Sequence, residues 1–310
     1  MVTAMNIEEI IALRDQVWDE HPIITERAIL PTLSLMNVIS RVWSLGRKGR
    51  GSIAWYAQPL SGKSFCAEAL VVEMKRKKPG CGVLIFEVVE DTNQAEGRLL
   101  SEMLNQIDYA PKISRDLAGK RTQVHRALLA LSGEARHLFL IFDEAQELSG
   151  DEFAWLKSVI NRLVRDRVKV TVVLFGQIEL KDQRSKLKET RSDLEKRFMS
   201  TLNELKGPRG EIELAVPLEA IDSKSEYPIG SGLTYSQLLL PRFYAAGGRL
   251  HRSTGDIAQQ LKRLRLTGEE NVVSMSVVAS YLANLFIHLR NFDSPDLAIT
   301  PELLRQIPMG

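Results

Sequence analysis

Ala57-Gln58-Pro59-Leu60-Ser61-Gly62-Lys63-Ser64 separates a short apolar run from a helical pattern. The segment reads as G-x-x-x-x-G-K-[ST] with alanine in the first position. Backbone N–H groups of such a loop and of the helix that follows can cradle phosphates. Gly62 allows close backbone approach, Lys63 offers a cation to β and γ phosphates, and the Ser64 hydroxyl can ligate Mg²⁺. Phe65 closes the candidate nucleotide-binding stretch. Ala57 departs from the strict pattern and alters the first turn while leaving the cradle. A second constellation lies at Leu138-Phe139-Leu140-Ile141-Phe142-Asp143-Glu144, an apolar strand ending in two carboxylates. Asp143 would hold Mg²⁺ through water and Glu144 would act as general base on an attacking water. The rival reading, an acidic helix N-cap before Ala145-Gln146-Glu147-Leu148, loses ground once the phosphate loop is present. Together the two segments point to hydrolysis of a nucleoside triphosphate.

Two further residues could join them. Gln177 follows the run Val168-Lys169-Val170-Thr171-Val172-Val173-Leu174-Phe175-Gly176. A polar tip there can orient water and a γ-phosphate. Arg197 lies in a helical pattern beyond, where a subunit of a ring or filament reaches its neighbour's phosphate. A surface arginine paired with Asp193 at i−4 remains the alternative.

These residues need strands and helices to hold them. Apolar, β-branched runs occur at 52–57, 83–89, 137–143, 168–176 and 211–218. Each is continuous rather than alternating, as in strands covered on both faces. Helical patterns lie between them, including 192–205. The alternation predicts a five-stranded parallel α/β sheet with right-handed crossovers. The expected division is an N-terminal helical extension over 1–50, the α/β nucleotide-binding domain over 51–221, and a C-terminal helical lid and tail over 222–310. Nucleotide is expected at the C-terminal ends of the strands, between sheet and lid.

Composition narrows the class. The 310 residues are 44% hydrophobic and 26% charged, which excludes a low-complexity or disordered chain. No apolar run approaches the ~18 residues of a membrane helix, and the acidic N-terminal segment does not read as a signal peptide. Lys+Arg 41 against Asp+Glu 39 gives a formal charge of +2, so any nucleic-acid surface must be local. Cys66 and Cys81 make neither a disulfide framework nor a zinc pattern, and reduced buried thiols suit a cytoplasmic protein.

The order of AQPLSGKS, LFLIFDEAQEL, VTVVLFGQIEL, LEKRF and IELAVPLEAI resembles the AAA+ ATPases over roughly residues 35–265. DEAQEL and FGQIEL are closest to the branch holding the TnsC, TniB and MuB transposition regulators and the ExeA-type ATPases. The resemblance places Lys63 and Ser64 in Walker A, Asp143 and Glu144 in Walker B, Gln177 at sensor 1 and Arg197 at the arginine finger. It implies ATP rather than GTP, and a sheet in the order 5-1-4-3-2. It also implies a homo-oligomer, ring or filament, that acts on double-stranded DNA with a transposase and a target selector. The family's lid helix would start near Ser253-Thr254-Gly255-Asp256. Ala258 stands where many members carry a sensor-2 arginine, with Arg263 and Arg265 further along. In the resembling ATPases, basic residues after the second strand track a DNA backbone. Here that segment offers Lys112, Arg115, Lys120, Arg121 and Arg126. A solvated helix start is its other reading, and Arg47, Lys48 and Arg50, in a Gly-rich turn, are the next DNA candidates. Two rival uses of the same engine stand beside this one: action on a protein partner in phage defence or secretion, and a STAND-like signalling switch.

Overall fold

The computed structural model describes residues 5–59, 61–90, 94–263 and 272–308. The chain forms two compact units, one of Asn37–Pro59 with Lys63–Leu205, the other of Met1–Met36, Leu60–Gly62 and Lys206–Gly310.

The first unit is built on five parallel strands: β1 Arg50–Tyr56, β2 Gly82–Glu87, β3 His137–Asp143, β4 Lys169–Gly176 and β5 Leu202–Glu204. Their order is β2-β3-β4-β1-β5, the expected one. β3 is buried along its whole length and β4 along all but its first residue. Continuous apolar sequence at the sheet centre is what two covered faces require. Helices Lys63–Lys77, Glu96–Gln106, Leu117–Leu131 and Gly150–Arg165 supply those covers. The Gly150–Arg165 helix starts on a capping box in which Ser149 and Glu152 each accept the other's backbone N–H. Its buried face, Phe153, Leu156, Ile160 and Leu163, recurs at helical spacing and joins one core with Leu140, Phe142, Val172 and Leu174.

The fifth strand corrects the sequence reading. Residues 211–218, expected as a strand, lie inside the Gly210–Ser223 helix. Leu214, Leu218 and Ile221 are buried one turn apart, whereas Ile212 is 84% exposed. A short continuous apolar run cannot by itself distinguish a buried helix from a strand. The true edge strand is only three residues long and sits in the stretch 192–205, expected as helix. Its register, Ala54↔Leu202 to Tyr56↔Glu204, attaches it to β1.

The second unit is helical among the described residues, apart from an isolated bridge between Arg209 and Val272. Its core gathers Trp18, Leu218, Ile221, Phe243, Ile257, Tyr281, Leu285 and Phe286. Asp222 is its buried polar hub, accepting from Ser236 Oγ, Leu250 N, His251 N and the His251 ring. No helix of the described residues is long and apolar enough to cross a membrane.

Candidate functional site

Parallel strands deliver their C-terminal ends to one side of a sheet, so residues distant in sequence meet there. β3 ends at Asp143 and β4 at Gly176, while the chain leaving β1 enters the phosphate loop. Ala57 N donates to Gly176 O at 3.0 Å, tying the start of that loop to the tip of β4. Ala57 is buried and its φ is not positive, so this first turn does not demand glycine. Gly62 does need its freedom, at φ +88. Gln58 and Pro59 are exposed. Ser61 is buried, and its Oγ lacks a hydrogen-bond partner among the described residues. Leu60 lies outside the described residues.

The first helical residues reach the carboxylates. Ser64 Oγ donates to Asp143 Oδ2 at 2.8 Å. Lys63 is only 6% exposed, with Nζ 4.0 Å from Glu144 Oε1. Phe65 is partly exposed on the turn that follows. Cys66, buried behind them, is a thiol pushed up to about 12 by burial and by the charge of Asp143, which leaves it unreactive.

Glu144 has φ 52 and ψ 39, left-handed for a residue with a side chain. Such a conformation costs on the order of 1–3 kcal/mol and persists where surroundings enforce it. Gln146 Nε2 and Gln177 Nε2 both donate to Glu144 Oε2, at 2.6 and 3.1 Å. Gln146 Oε1 in turn accepts from Gln177 N at 2.8 Å. A Cβ on Gly176 would come within 2.9 Å of that oxygen, so glycine at the strand tip admits the bridge. Partial burial pushes the Glu144 carboxyl up. The two glutamine donors and the Lys63 charge outweigh it, and the net pKa lies below the ordinary glutamate value. Glu144 is therefore an anion at neutral pH, held beside a buried cation.

The structure thus brings Lys63, Ser64, Asp143, Glu144 and Gln177 into one cluster. It adds Gln146, which the sequence reading passed over as part of the DEAQEL phrase. A glutamine two residues beyond a candidate base was the available signal. The hydroxyl–carboxylate pair of Ser64 and Asp143 is an oxygen donor set that fits Mg²⁺, which keeps most of its waters. Buried Lys63 fits a phosphate.

Arg197 is not in this cluster. It lies in the π-helical turn Glu195–Met199, which packs on β1 just ahead of β5. β5 begins opposite Ala54, so the turn sits toward the first residue of β1, Arg50. The phosphate loop leaves the other end of that strand, about 20 Å away at ~3.3 Å per residue. Asp193 is held by Lys157 and Arg191 instead, at 2.7 and 3.4 Å, so the i−4 pair does not form.

The basic segment divides. Lys120 Nζ donates to Gly97 O at 3.0 Å, and Arg121 makes a two-pronged pair with Glu96. Lys112, Arg115 and Arg126 are exposed. Ala258 is buried in the Thr254–Arg263 helix, and Arg263 donates to Gln260. Arg265 lies outside the described residues.

Residues 46–183 match the AAA_22 family, an AAA domain. Among solved structures, the Aeropyrum pernix ORC2 protein in its ADPNP–ADP complexes aligns at TM-score 0.56 and 16% identity, over 93% of this chain and 70% of that one. A Walker-type ATPase of Pyrococcus abyssi aligns at TM-score 0.48 and 16% identity, over 82% of this chain and 67% of that one. No curated protein matches the sequence.

Proposed function

We propose that this chain, an AAA+ ATPase, hydrolyses ATP at the cluster of Lys63, Ser64, Asp143, Glu144 and Gln177, and that it uses the cycle to regulate DNA transposition from an assembly on duplex DNA. The observation that carries the ATPase site is the convergence of Ser64 on Asp143 and of Lys63, Gln146 and Gln177 on Glu144. Lys63 and the loop N–H groups hold the triphosphate. Ser64 and Asp143 would hold Mg²⁺, which when bound neutralises charge on the β and γ oxygens. Glu144, anionic and fixed by two glutamines, accepts the proton of the attacking water. The new bond from water oxygen to the γ-phosphorus replaces the bond to the bridging oxygen, releasing ADP and phosphate. Gln177, at the strand tip with its Nε2 on Glu144, aligns that water.

Arg197 serves another copy of the chain. Its place at the opposite end of β1 from the phosphate loop removes it from its own subunit's phosphates. A homo-oligomer in which each Arg197 meets a neighbour's γ-phosphate uses it, and hydrolysis then depends on assembly.

Adenine as the base is supported by the resemblance and by the ADPNP and ADP bound to the similarly folded ORC2 protein. Duplex DNA as the partner, with a transposase and target selector recruited to it, is supported by the DEAQEL and FGQIEL phrases and by the exposed cations after β2. Among the described residues Lys112, Arg115 and Arg126 form no ion pair, whereas Lys120 and Arg121 are engaged locally. DNA binding should be sequence-tolerant, and duplex should stimulate the ATPase. Replacing Lys112, Arg115 and Arg126 by Ala should lower the slope of log affinity against log salt by up to ~0.9 for each phosphate the protein no longer neutralises. ATP binding should persist. Unchanged affinity and slope would move the DNA surface elsewhere, and an ATPase indifferent to duplex would favour a protein partner.

A further inference from the structure

Arg50, the first residue of β1, has no role in the site described above, yet its surroundings are unusual. The chain entering β5 packs back along β1, bringing the turn Glu195–Met199 to the strand's first residues. That turn is π-helical, a geometry that re-aims side chains and recurs at functional sites. It is firmly held on both sides of Arg197. Arg184 Nε donates to Glu195 Oε1 at 2.9 Å and its Nη2 to Ser200 O at 3.2 Å, while Phe198 and Met199 are buried in the sheet core. Arg197 itself is half-buried, and its Nε is enclosed without a hydrogen-bond partner among the described residues.

The charge balance around it is equally one-sided. Burial lowers the Arg197 pKa, and the nearby charge of Arg50 lowers it further. Among the described residues no carboxylate offsets them. Glu195 is taken by Arg184 and Asp193 by Lys157 and Arg191, and neither Arg50 nor Arg197 makes an ion pair there. Two like charges close enough to act on one another, one on a guanidinium whose enclosed Nε finds no partner among the described residues, are unfavourable in an isolated subunit. A polyanion with several oxygens offsets the like charge, because guanidinium forks bind phosphate oxygens in pairs.

We propose that Arg50 and Arg197 form one two-arginine clamp for the terminal phosphate of a nucleotide held by a second copy of this chain. Arg50 thereby becomes a second trans-acting residue of the ATPase. The inference rests on the trans reading of Arg197 and extends it. Arg197 supplies the pre-set donor, and Arg50, exposed and at a strand start, closes on the phosphate from the other side as the copies meet.

Complementation of full-length variants separates the two ideas. Arg50→Ala alone should lower ATP turnover roughly tenfold, in proportion to one charge-assisted contact, with ATP affinity of the dilute protein unchanged. Arg50→Lys, which keeps charge but loses the fork, should fall between. Mixed with Lys63→Ala, Arg50→Ala should regain activity, since the Lys63→Ala copy donates both arginines to an intact phosphate loop. Mixed with Arg197→Ala, it should regain none, since every junction then lacks one half of the clamp. Wild-type turnover in Arg50→Ala beside a defective Arg197→Ala would overturn the clamp and spare the Arg197 reading. Restoration in the Arg50→Ala and Arg197→Ala mixture would do the same. Failure of Arg197→Ala to lose activity, or to recover with Lys63→Ala, would overturn the trans reading itself. Loss of activity in Arg50→Ala with a lowered melting temperature and no recovery with Lys63→Ala would assign it a folding role and reject the clamp.

Discussion

The two ends of the β1–β4 sheet treat charge in opposite ways. At the C-terminal ends, polar groups close on one another: Ser64 on Asp143, Lys63 and two glutamines on Glu144. At the N-terminal ends, the charge of Arg50 acts on Arg197, and neither makes an ion pair among the described residues. Buried polar groups are normally paired, so a matched cluster and an unmatched one carry different information. The matched cluster has its polar groups paired within one subunit. In the proposed clamp, the unmatched pair is half of a site whose other half belongs to a different molecule.

The largest effects should come from breaking the matched end. Lys63→Ala should abolish nucleotide binding, because the phosphates lose their buried cation. Glu144→Gln should still bind ATP and turn it over at least ~100-fold more slowly, the usual scale for a general base. Single-turnover hydrolysis measured on saturated protein checks this, and a normal rate would remove Glu144 from the chemistry. At the unmatched end, Arg197→Ala should also lose about 100-fold or more in steady-state turnover. Its signature differs: dilute subunits bind ATP normally, and adding Lys63→Ala protein recovers part of the rate. A defect that no ratio of co-assembled subunits can repair would place Arg197 in its own subunit's site.

A middle-sized effect tests how the matched end is kept matched. Gln146 donates to Glu144 and accepts from Gln177 N, holding base and strand tip in one frame. Gln146→Ala should cost roughly tenfold in kcat, the lower end of what misplacing a general base costs. It should leave KM for ATP nearly unchanged. Glu144 also loses a donor that lowers its pKa. The acid limb of the kcat–pH profile should therefore move to higher pH. A fall in kcat with the limb unmoved would mean that Gln146 supports the strand tip and not the carboxylate.

The sequence made the matched end readable because its parts are local. A loop of fixed spacing and a strand ending in two acids can be recognised in a few residues each, and parallel topology then places them together. Strand order followed from the same family likeness. The fifth strand was hidden for two physical reasons. Three residues against one neighbour leave almost no pattern, and the apolar run 211–218 that looked like a strand buries Leu214 and Leu218 on a helix face, continued by Ile221. Arg197 could be picked out by type and position as an arginine finger, whereas Arg50 could be picked out only as a candidate DNA contact in a glycine-rich turn. Nothing in the sequence ties it to Arg197, and that link comes from the packing of Glu195–Met199 on β1. Gln146 offered only its place two residues beyond the candidate base, since its role depends on the left-handed turn at Glu144.

The smallest expected effect concerns stability at the unmatched end. His137 opens β3 and is fully buried, stacked on Phe139. Its Nδ1 lies 2.8 Å from Lys78 Nζ and its Nε2 3.0 Å from Thr171 Oγ1. An ammonium can only donate, so Nδ1 accepts and the ring proton sits on Nε2, given to Thr171. A second proton would have to enter Nδ1 against Lys78. Burial first, then the charges of Lys78 and Lys169, lower this histidine to about 4 from the ordinary 6.5. The sign follows: between those values the unfolded chain binds a proton that the folded chain refuses, so stability is present above about 6.5 and falls as pH drops toward 4. Each unit of difference is worth ~1.4 kcal/mol, and partial solvent relaxation should leave about 1–3 kcal/mol across the window. His21, in the helical unit, is also lowered to about 4 by burial and adds in the same direction. His137→Gln should therefore remove only part of the acid sensitivity. Urea unfolding of both proteins at pH 7 and pH 4.5 measures it. The stability gap between wild type and variant should narrow on acidification, and a gap that stays constant would show that His137 takes up its proton as readily in the folded chain as in the unfolded one.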